Sequence, residues 1–228
     1  MIKFPKSIRR FLARHGSNVG YFTSRNRLDK RIAELFSYKR NGVFIEAGAA
    51  DGFIESHTLL LEKNYGWTGL LVEPEPEQFN FCKRFRKNCI VENFFLTDFS
   101  NTSSKTQMRD AQRSSRKVGH NLNSDSTYNR FNQKIIEETK NKTFFAKNTN
   151  LKSLLEKHSI NQVDIMILDV EGDVFEVLNG YDHNSKIIDF LLVEVWRDDL
   201  SHFLQMAEEK KWEYIGPWGG SDHLFKLK

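Results

Sequence analysis

Cysteine, proline and long apolar runs are what this 228-residue chain has least of. Its two cysteines, Cys82 and Cys89, stand close together and no secretory pattern precedes them, so a structural disulfide is not expected and a reducing, cytoplasmic setting fits. Four prolines exclude a proline-rich or collagen-like chain. The longest apolar run, Ile187 to Trp196, is broken by Asp189 and Glu194 and falls far short of the ~20 residues that span a bilayer. No transmembrane helix is expected. Arg9 and Arg10 imitate the start of a signal peptide, but neither an apolar core nor a small-residue cleavage site follows, so export is not expected either.

What remains is the composition of an ordinary globular domain, 39% hydrophobic and 28% charged, long enough to bury a core without metal or disulfide staples. The formal net charge of +4 is unevenly spread. Residues 1–31 hold nine Lys and Arg against one acid, residues 100–143 nine against four, and the remainder sixteen against twenty-five. A basic arm and a basic insertion on an acidic body point to local contacts with an anionic partner and away from a general nucleic-acid groove. In the arm, Ile8, Phe11 and Leu12 form one helical face, suited to packing on the body or to weak contact with a membrane surface.

From residue 32 the pattern is that of one domain. Apolar strands at Val43–Ala47, Gly69–Glu73, Ile90–Leu96, Val163–Leu168 and Ile188–Val195 alternate with helical stretches, which implies a parallel sheet covered on both faces. Glu213–Gly216 and His223–Leu227 close it as an antiparallel hairpin, giving about seven strands. Residues 100–143 interrupt this rhythm, either as a partly helical lid carrying Tyr128, Phe131, Ile135 and Ile136 or as an unstructured excursion.

The turn after the first strand reads Glu46-Ala47-Gly48-Ala49-Ala50-Asp51-Gly52. A dinucleotide fingerprint centred on Gly48 needs glycine at positions 46 and 51, where this chain has acids. Carboxylates beside a pyrophosphate repel it by about 1 kcal/mol per contact in water, and by several in a cleft. They suit a ligand carrying positive charge, and S-adenosylmethionine has a sulfonium and an ammonium against one carboxylate. Gly48 permits close backbone approach, Glu46 and Asp51 offer acceptors, and Glu73, ending the second strand, can take both ribose hydroxyls.

The stretches VFIEAGAADGFIESHTLLLEKNYGWTGLLVEPEPE (Val43 to Glu77) and VDIMILDVEGDVFEVLNGYD (Val163 to Asp182), with the later IDFLLVEVW, resemble the signature blocks of the FkbM family of S-adenosylmethionine-dependent methyltransferases. The resemblance leaves out the arm and the insertion. It implies a class I methyltransferase (Rossmann-like) fold and methylation of a hydroxyl on a sugar, glycan or natural product. It also implies cofactor binding by Glu46, Gly48, Asp51, Gly52 and Glu73, with Thr97 and Asp98 near the adenine. His57 departs from the asparagine that many relatives carry in Ser-Asn-Thr.

Asp169 and Glu194 end strands that face the ligand crevice, with Glu171 close by. Three roles fit them: hard-oxygen ligands for a divalent cation such as Mg or Mn, held by Asp169 and Glu194; a base, Asp169, for the acceptor hydroxyl; or anchorage of the cofactor's methionine end. His57 and His223 are further base candidates, and Trp196 and Trp218 fit a pocket wall or plain packing. Arg113 and Arg116, with Arg109, Lys117 and Arg130, can hold an anionic acceptor or form a solvated face. Two other functions fit less well. A nucleic-acid methyltransferase would use the basic segments, but the chain has Asp169-Val170-Glu171-Gly172 where an Asn/Asp-Pro-Pro-aromatic motif belongs. A non-catalytic S-adenosylmethionine-binding module would keep the turn without turnover.

Overall fold

The computed structural model describes residues 24–109, 116–117, 142–185 and 187–228. The arm up to residue 23 lies outside them, as do Arg113, Arg130 and the lid candidates Tyr128, Phe131, Ile135 and Ile136.

Helix α1 (Leu28–Leu35) leads into β1 (Val43–Ala47), α2 (Leu59–Tyr65), β2 (Thr68–Val72), α3 (Pro76–Phe85) and β3 (Ile90–Glu92). After an interruption come α4 (Leu151–Lys157), β8 (Val163–Leu168), α5 (Val174–Asn179), β9 (Ile188–Glu194), α6 (Leu200–Glu209), β10 (Trp212–Gly219) and β11 (Asp222–Leu227). The main sheet has seven strands in the order β10-β11-β9-β8-β1-β2-β3. The β1–β2, β2–β3, β1–β8 and β8–β9 pairs are parallel, whereas β11 runs antiparallel to both β9 and β10.

The two-residue period of the strands sorts the core into two layers. Phe44, Leu71, Ile165, Ile167, Leu192 and Leu224 pack on one face with Ile32 of α1, Leu61 of α2 and Cys82 of α3. Their neighbours Ile45, Leu70, Val72, Met166, Leu168, Leu191 and Phe225 pack on the other with α4, α5 and α6. All six residues of β8 are buried, as its predominantly apolar sequence, with Asp164 alone polar, requires of a strand covered on both faces. Helix starts are sealed locally. Glu75 accepts from the N–H groups of Glu77 and Gln78, with Pro76 at the first helical position of α3, and Asn150 accepts from Ser153 N at the start of α4. Among the described residues no helix is long and apolar enough to cross a membrane.

One expectation is corrected. The single strand read over Ile90–Leu96 is two, because the Asn93 side chain donates to the carbonyls of Glu73 and Pro74 (2.8 and 3.0 Å), replacing the ladder and turning the chain out of the main sheet. Phe95 and Leu96 then form β4 (Phe95–Leu96) of a second sheet. That sheet, in the order β4-β7-β5-β6, also takes β5 (Lys105–Arg109), β6 (Arg116–Lys117) and β7 (Thr143–Thr149). The described residues of the insertion supply β5 and β6, while those that carried the helical-lid reading lie outside the described residues. Thr106 and Met108 of β5 turn inward against Ala146 of β7, an alternation too sparse in apolar residues to announce a strand.

Candidate functional site

Strand β1 lies between β2 and β8, so the chain's progress across the sheet reverses there, and ligands of open α/β sheets sit outside the strand ends at such a point. A cleft opens at this place. It is lined by Ala47 and Gly48 after β1, Glu73 and Pro74 after β2, Phe94 to Leu96 at β4, and Asp169, Val170, Glu171 and Asp173 after β8. Gly48 has φ +81°, and a Cβ there would fall 1.8 Å from the Asp169 carbonyl oxygen, so only glycine lets the β1 turn lie against the end of β8.

Of the expected cofactor residues, Gly48 and Glu73 line the cleft. Glu73 Oε2 accepts from Ala50 N and Oε1 from Glu75 N, both at 2.8 Å. These bonds aim the carboxyl at the rim and leave each oxygen a second lone pair. Burial, opposed by the two amide bonds and helped by the nearby Glu75 and Asp51 carboxylates, lifts its pKa to about 7.

Glu46 and Asp51 turn away. Asp51, fully buried, accepts from Phe53 N and Ile54 N (3.0 and 2.8 Å) and closes the turn after Gly48. Glu46 accepts from Ser56 Oγ (3.1 Å), His57 N (2.9 Å) and Thr58 Oγ1, and lies 3.6 Å from Arg86 Nη1. Burial alone would raise its pKa, but the His57 hydrogen bond and the charges of Arg86 and His57 hold it down at about 2. Its lone pairs are spent inside the protein, so it shapes the loop rather than meeting a ligand. Gly52 (φ +69°) belongs to the same packing, since a Cβ there would fall 2.7 Å from Cys82 Sγ. Thr97 and Asp98 follow the cleft-lining Phe94–Leu96 without joining them. Thr97 bonds the Thr149 carbonyl through its N–H and Oγ1, and Asp98 Oδ1 accepts from Ser100 and Asn101.

Arg86 is the residue that sequence reading missed. It is 1% exposed and donates through Nε to Glu62, through Nη1 to Ser56 Oγ (3.0 Å) and Gly52 O (3.3 Å), and through Nη2 to Thr58 Oγ1 (2.7 Å). A signal for it exists: Gln78, Cys82 and Arg86 recur at four-residue spacing on one face, while Lys83 and Arg84 are exposed. Cys82 and Cys89 beside it are both free, and burial pushes both thiols up, Cys89 to about 12.

His57 is buried with Nδ1 3.6 Å from Glu46 Oε1. Burial opposes its charge, but the Glu46 hydrogen bond and charge, with Asp169 and Asp222 beyond, raise its pKa to about 9. It is an imidazolium at neutral pH, which corrects its reading as a base. His223 is buried, with Nδ1 2.9 Å from the Tyr214 hydroxyl, and burial lowers its pKa.

Asp169 and Glu194 do come together, near enough that each shifts the other's titration. Burial and the charges of Glu171 and Asp222 push both up; the Asp169 charge raises Glu194 further, whereas His57 and Glu194 hold Asp169 back, so the pair holds a proton where separate carboxyls would have lost it. Ser221 Oγ donates to Glu194 Oε1 (2.8 Å) and fixes it from the hairpin side. Among the described residues no group of three or more His, Cys, Asp or Glu is arranged to hold a metal ion, so the pair finds no third ligand there. Glu171 lines the cleft in a left-handed conformation (φ 54°). Trp196 is half-buried beyond β9 and outside the cleft lining. Trp218 packs under Arg31, whose guanidinium sits 4.6 Å from its ring, so it holds α1 and is no pocket wall. Arg116 opens β6, and its side chain, like the whole of Arg113, lies outside the described residues.

The profile of the methyltransferase FkbM domain matches residues 46–211. A search of curated protein sequences finds no match. Among solved structures, the METTL16 MTase domain is 11% identical over 92% of this chain and 70% of that one, with a TM-score of 0.54. A further structure of that domain, 12% identical over the same shares, gives 0.51. The TehB-like SAM-dependent methyltransferase from Corynebacterium glutamicum is 13% identical over 97% of this chain and 95% of that one, with a TM-score of 0.46. At these identities the likeness is one of fold, that of the class I methyltransferases.

Proposed function

This chain belongs to the FkbM methyltransferase family, and we propose that it moves a methyl group from S-adenosylmethionine to a hydroxyl oxygen of a sugar, glycan or natural-product acceptor. The donor set suits that cofactor: four carboxyls, Glu73, Asp169, Glu171 and Asp173, ring the cleft, where a sulfonium, an ammonium and ribose hydroxyls find acceptors. Bound there, S-adenosylmethionine supplies an already activated methyl group, so the protein's task is positioning and handling of one proton.

Glu73 accepts from the ribose hydroxyls, and the backbone around Gly48 forms the floor of the methionine end. The observation that carries hydroxyl chemistry is the Asp169–Glu194 pair at the strand ends. A carboxyl pair titrating in the neutral range is matched to receive a hydroxyl proton as the oxygen becomes bonded to carbon, a contribution of about 10²–10⁴-fold. His57 stands behind Asp169 as a fixed positive charge and favours its ionised form. No divalent cation is needed for this reading, and full activity in EDTA is its expected consequence.

The test has two parts. Calorimetric titration with S-adenosylhomocysteine should show binding that Glu73→Ala weakens; a wild-type chain that does not bind it ends the reading. Incubation with methyl-labelled cofactor and polyhydroxylated acceptors should give a base-stable methyl ether. Label found only in base-labile esters or on nitrogen would overturn hydroxyl methylation.

A further inference from the structure

On the second sheet, alternate residues of β5 and β7 part to opposite faces. Thr106, Met108, Phe144 and Ala146 turn inward, where Phe95 completes an apolar cluster. The outer face carries Lys105 opposite Lys147, Gln107 opposite Phe145 and Arg109 opposite Thr143. Phe145 is 64% exposed. Like charges directly opposite on antiparallel strands destabilise the pair. Neither lysine has an acidic partner among the described residues. Successive outer rungs stand about 7 Å apart along the strands, so an aromatic ring lies between a double cation on one side and an arginine on the other.

The sheet itself borders the cleft. On its other edge β7 pairs with β4, Phe95 opposite Asn148 and Leu96 opposite Thr149, and both β4 residues line the cleft. At the far edge Lys117 of β6, which lies opposite Met108 and so on the inner face, bonds Glu176 of α5 at 2.7 Å, and α5 gives Val177 to the cleft wall. Sheet and cleft are thus fastened together at both ends of the strand order.

We propose that the outer face docks the anionic part of the methyl acceptor, a saccharide bearing carboxylate, sulfate or phosphate groups. A sugar ring lies against Phe145 and its negative groups on Lys105 and Lys147, while the hydroxyl to be methylated enters the cleft. The inference rests on the methyltransferase reading above. Charge selects the occupant. The four carboxyls around the cleft accept from hydroxyls and repel phosphates, so an acceptor anionic at one end and hydroxyl-rich at the other matches the two surfaces. A polynucleotide running from this face into the cleft would bring its phosphates against those acids.

The full chain is first titrated with S-adenosylhomocysteine and then, in its presence, with a heparin-derived tetrasaccharide, neutral maltotetraose and octathymidylate. The tetrasaccharide should bind, more weakly as salt rises, and maltotetraose should not. Lys105→Gln/Lys147→Gln should weaken it about tenfold or more, and Phe145→Ser should also weaken it, with S-adenosylhomocysteine affinity unchanged in both. Lys30→Gln/Lys152→Gln, which alters two surface lysines paired with Glu34 and Glu156, should match the wild type. Absence of tetrasaccharide binding, equal binding by the Lys105/Lys147 variant, equal binding of maltotetraose, or tighter binding of octathymidylate would each overturn the proposal. Bound S-adenosylhomocysteine with no bound tetrasaccharide overturns the docking face alone, whereas failure to bind S-adenosylhomocysteine overturns the methyltransferase reading.

Discussion

Arg86 Nη1 lies 3.6 Å from Glu46 Oε2, with both side chains sealed from solvent. The contact ties the end of α3 to the strand that leads into the cleft, and the same guanidinium holds Glu62, Ser56, Thr58 and the Gly52 carbonyl. Removing one partner of such a cluster leaves buried carboxylates without compensation. Arg86→Met should therefore destabilise the fold by about 3–5 kcal/mol, seen as a lower urea midpoint. Arg86→Lys should recover only part, because an ammonium cannot reach all of these acceptors from one position. An Arg86→Met midpoint equal to that of the wild type would refute the structural role.

Glu46 and His57 give stability opposite dependences on pH. Glu46 titrates at about 2 in the fold and near 4.5 when unfolded, so its contribution is complete above about pH 4.5 and is lost as pH falls toward 2. His57 titrates at about 9 instead of 6.5, so its contribution is complete below about pH 6.5 and is lost as pH rises through 9. Each shift corresponds to roughly 3 kcal/mol, drawn largely from the one ion pair they share and therefore not additive. Thermal melts between pH 6 and 10 should show an alkaline decline that His57→Asn flattens. A decline of the same size in that variant would assign it to other groups.

The main sheet was legible because its central strands are predominantly apolar, as burial on both faces demands, and the acid-glycine turn and Glu73 placed the cleft. Glu46 was misread although its direction was available: it alternates with Ala47, so it shares a face with Phe44, and that face lies under the helices instead of at the strand ends. Arg86 was hidden among four basic residues, Lys83, Arg84, Arg86 and Lys87, of which one turns inward. The second sheet was not legible because β5 and β7 are held by backbone pairing between segments far apart in sequence, with only Thr106, Met108, Phe144 and Ala146 to mark an inner face.

Glu73 is poised to make cofactor affinity depend on pH near neutrality. With its pKa lifted to about 7, the carboxyl is protonated below that value and is then a poorer acceptor for ribose hydroxyls. Affinity for S-adenosylhomocysteine should rise as pH passes from 6 to 8. Glu73→Gln should bind more weakly, by about tenfold at pH 8, and lose the dependence. A Glu73→Gln variant with the wild-type affinity and slope would show that this side chain does not meet the ligand.

Asp169 and Glu194 are separated in effect by removing one charge at a time. Asp169→Asn should lower kcat by about 10²–10⁴-fold while S-adenosylhomocysteine affinity stays near the wild-type value, because the proton acceptor is lost and the cleft walls remain. The wild-type rate should rise with pH on its acid limb, since the pair must release its shared proton before it can take one from the acceptor. Glu194→Gln removes the carboxyl that keeps its proton longer, at about 8 against about 6 for Asp169, so the limb should move to lower pH. The pH–rate profiles of the two variants decide the matter. An unchanged limb in Glu194→Gln, or near-normal turnover in Asp169→Asn, would take the pair out of the reaction and leave it as the anchor of the loop between β8 and α5.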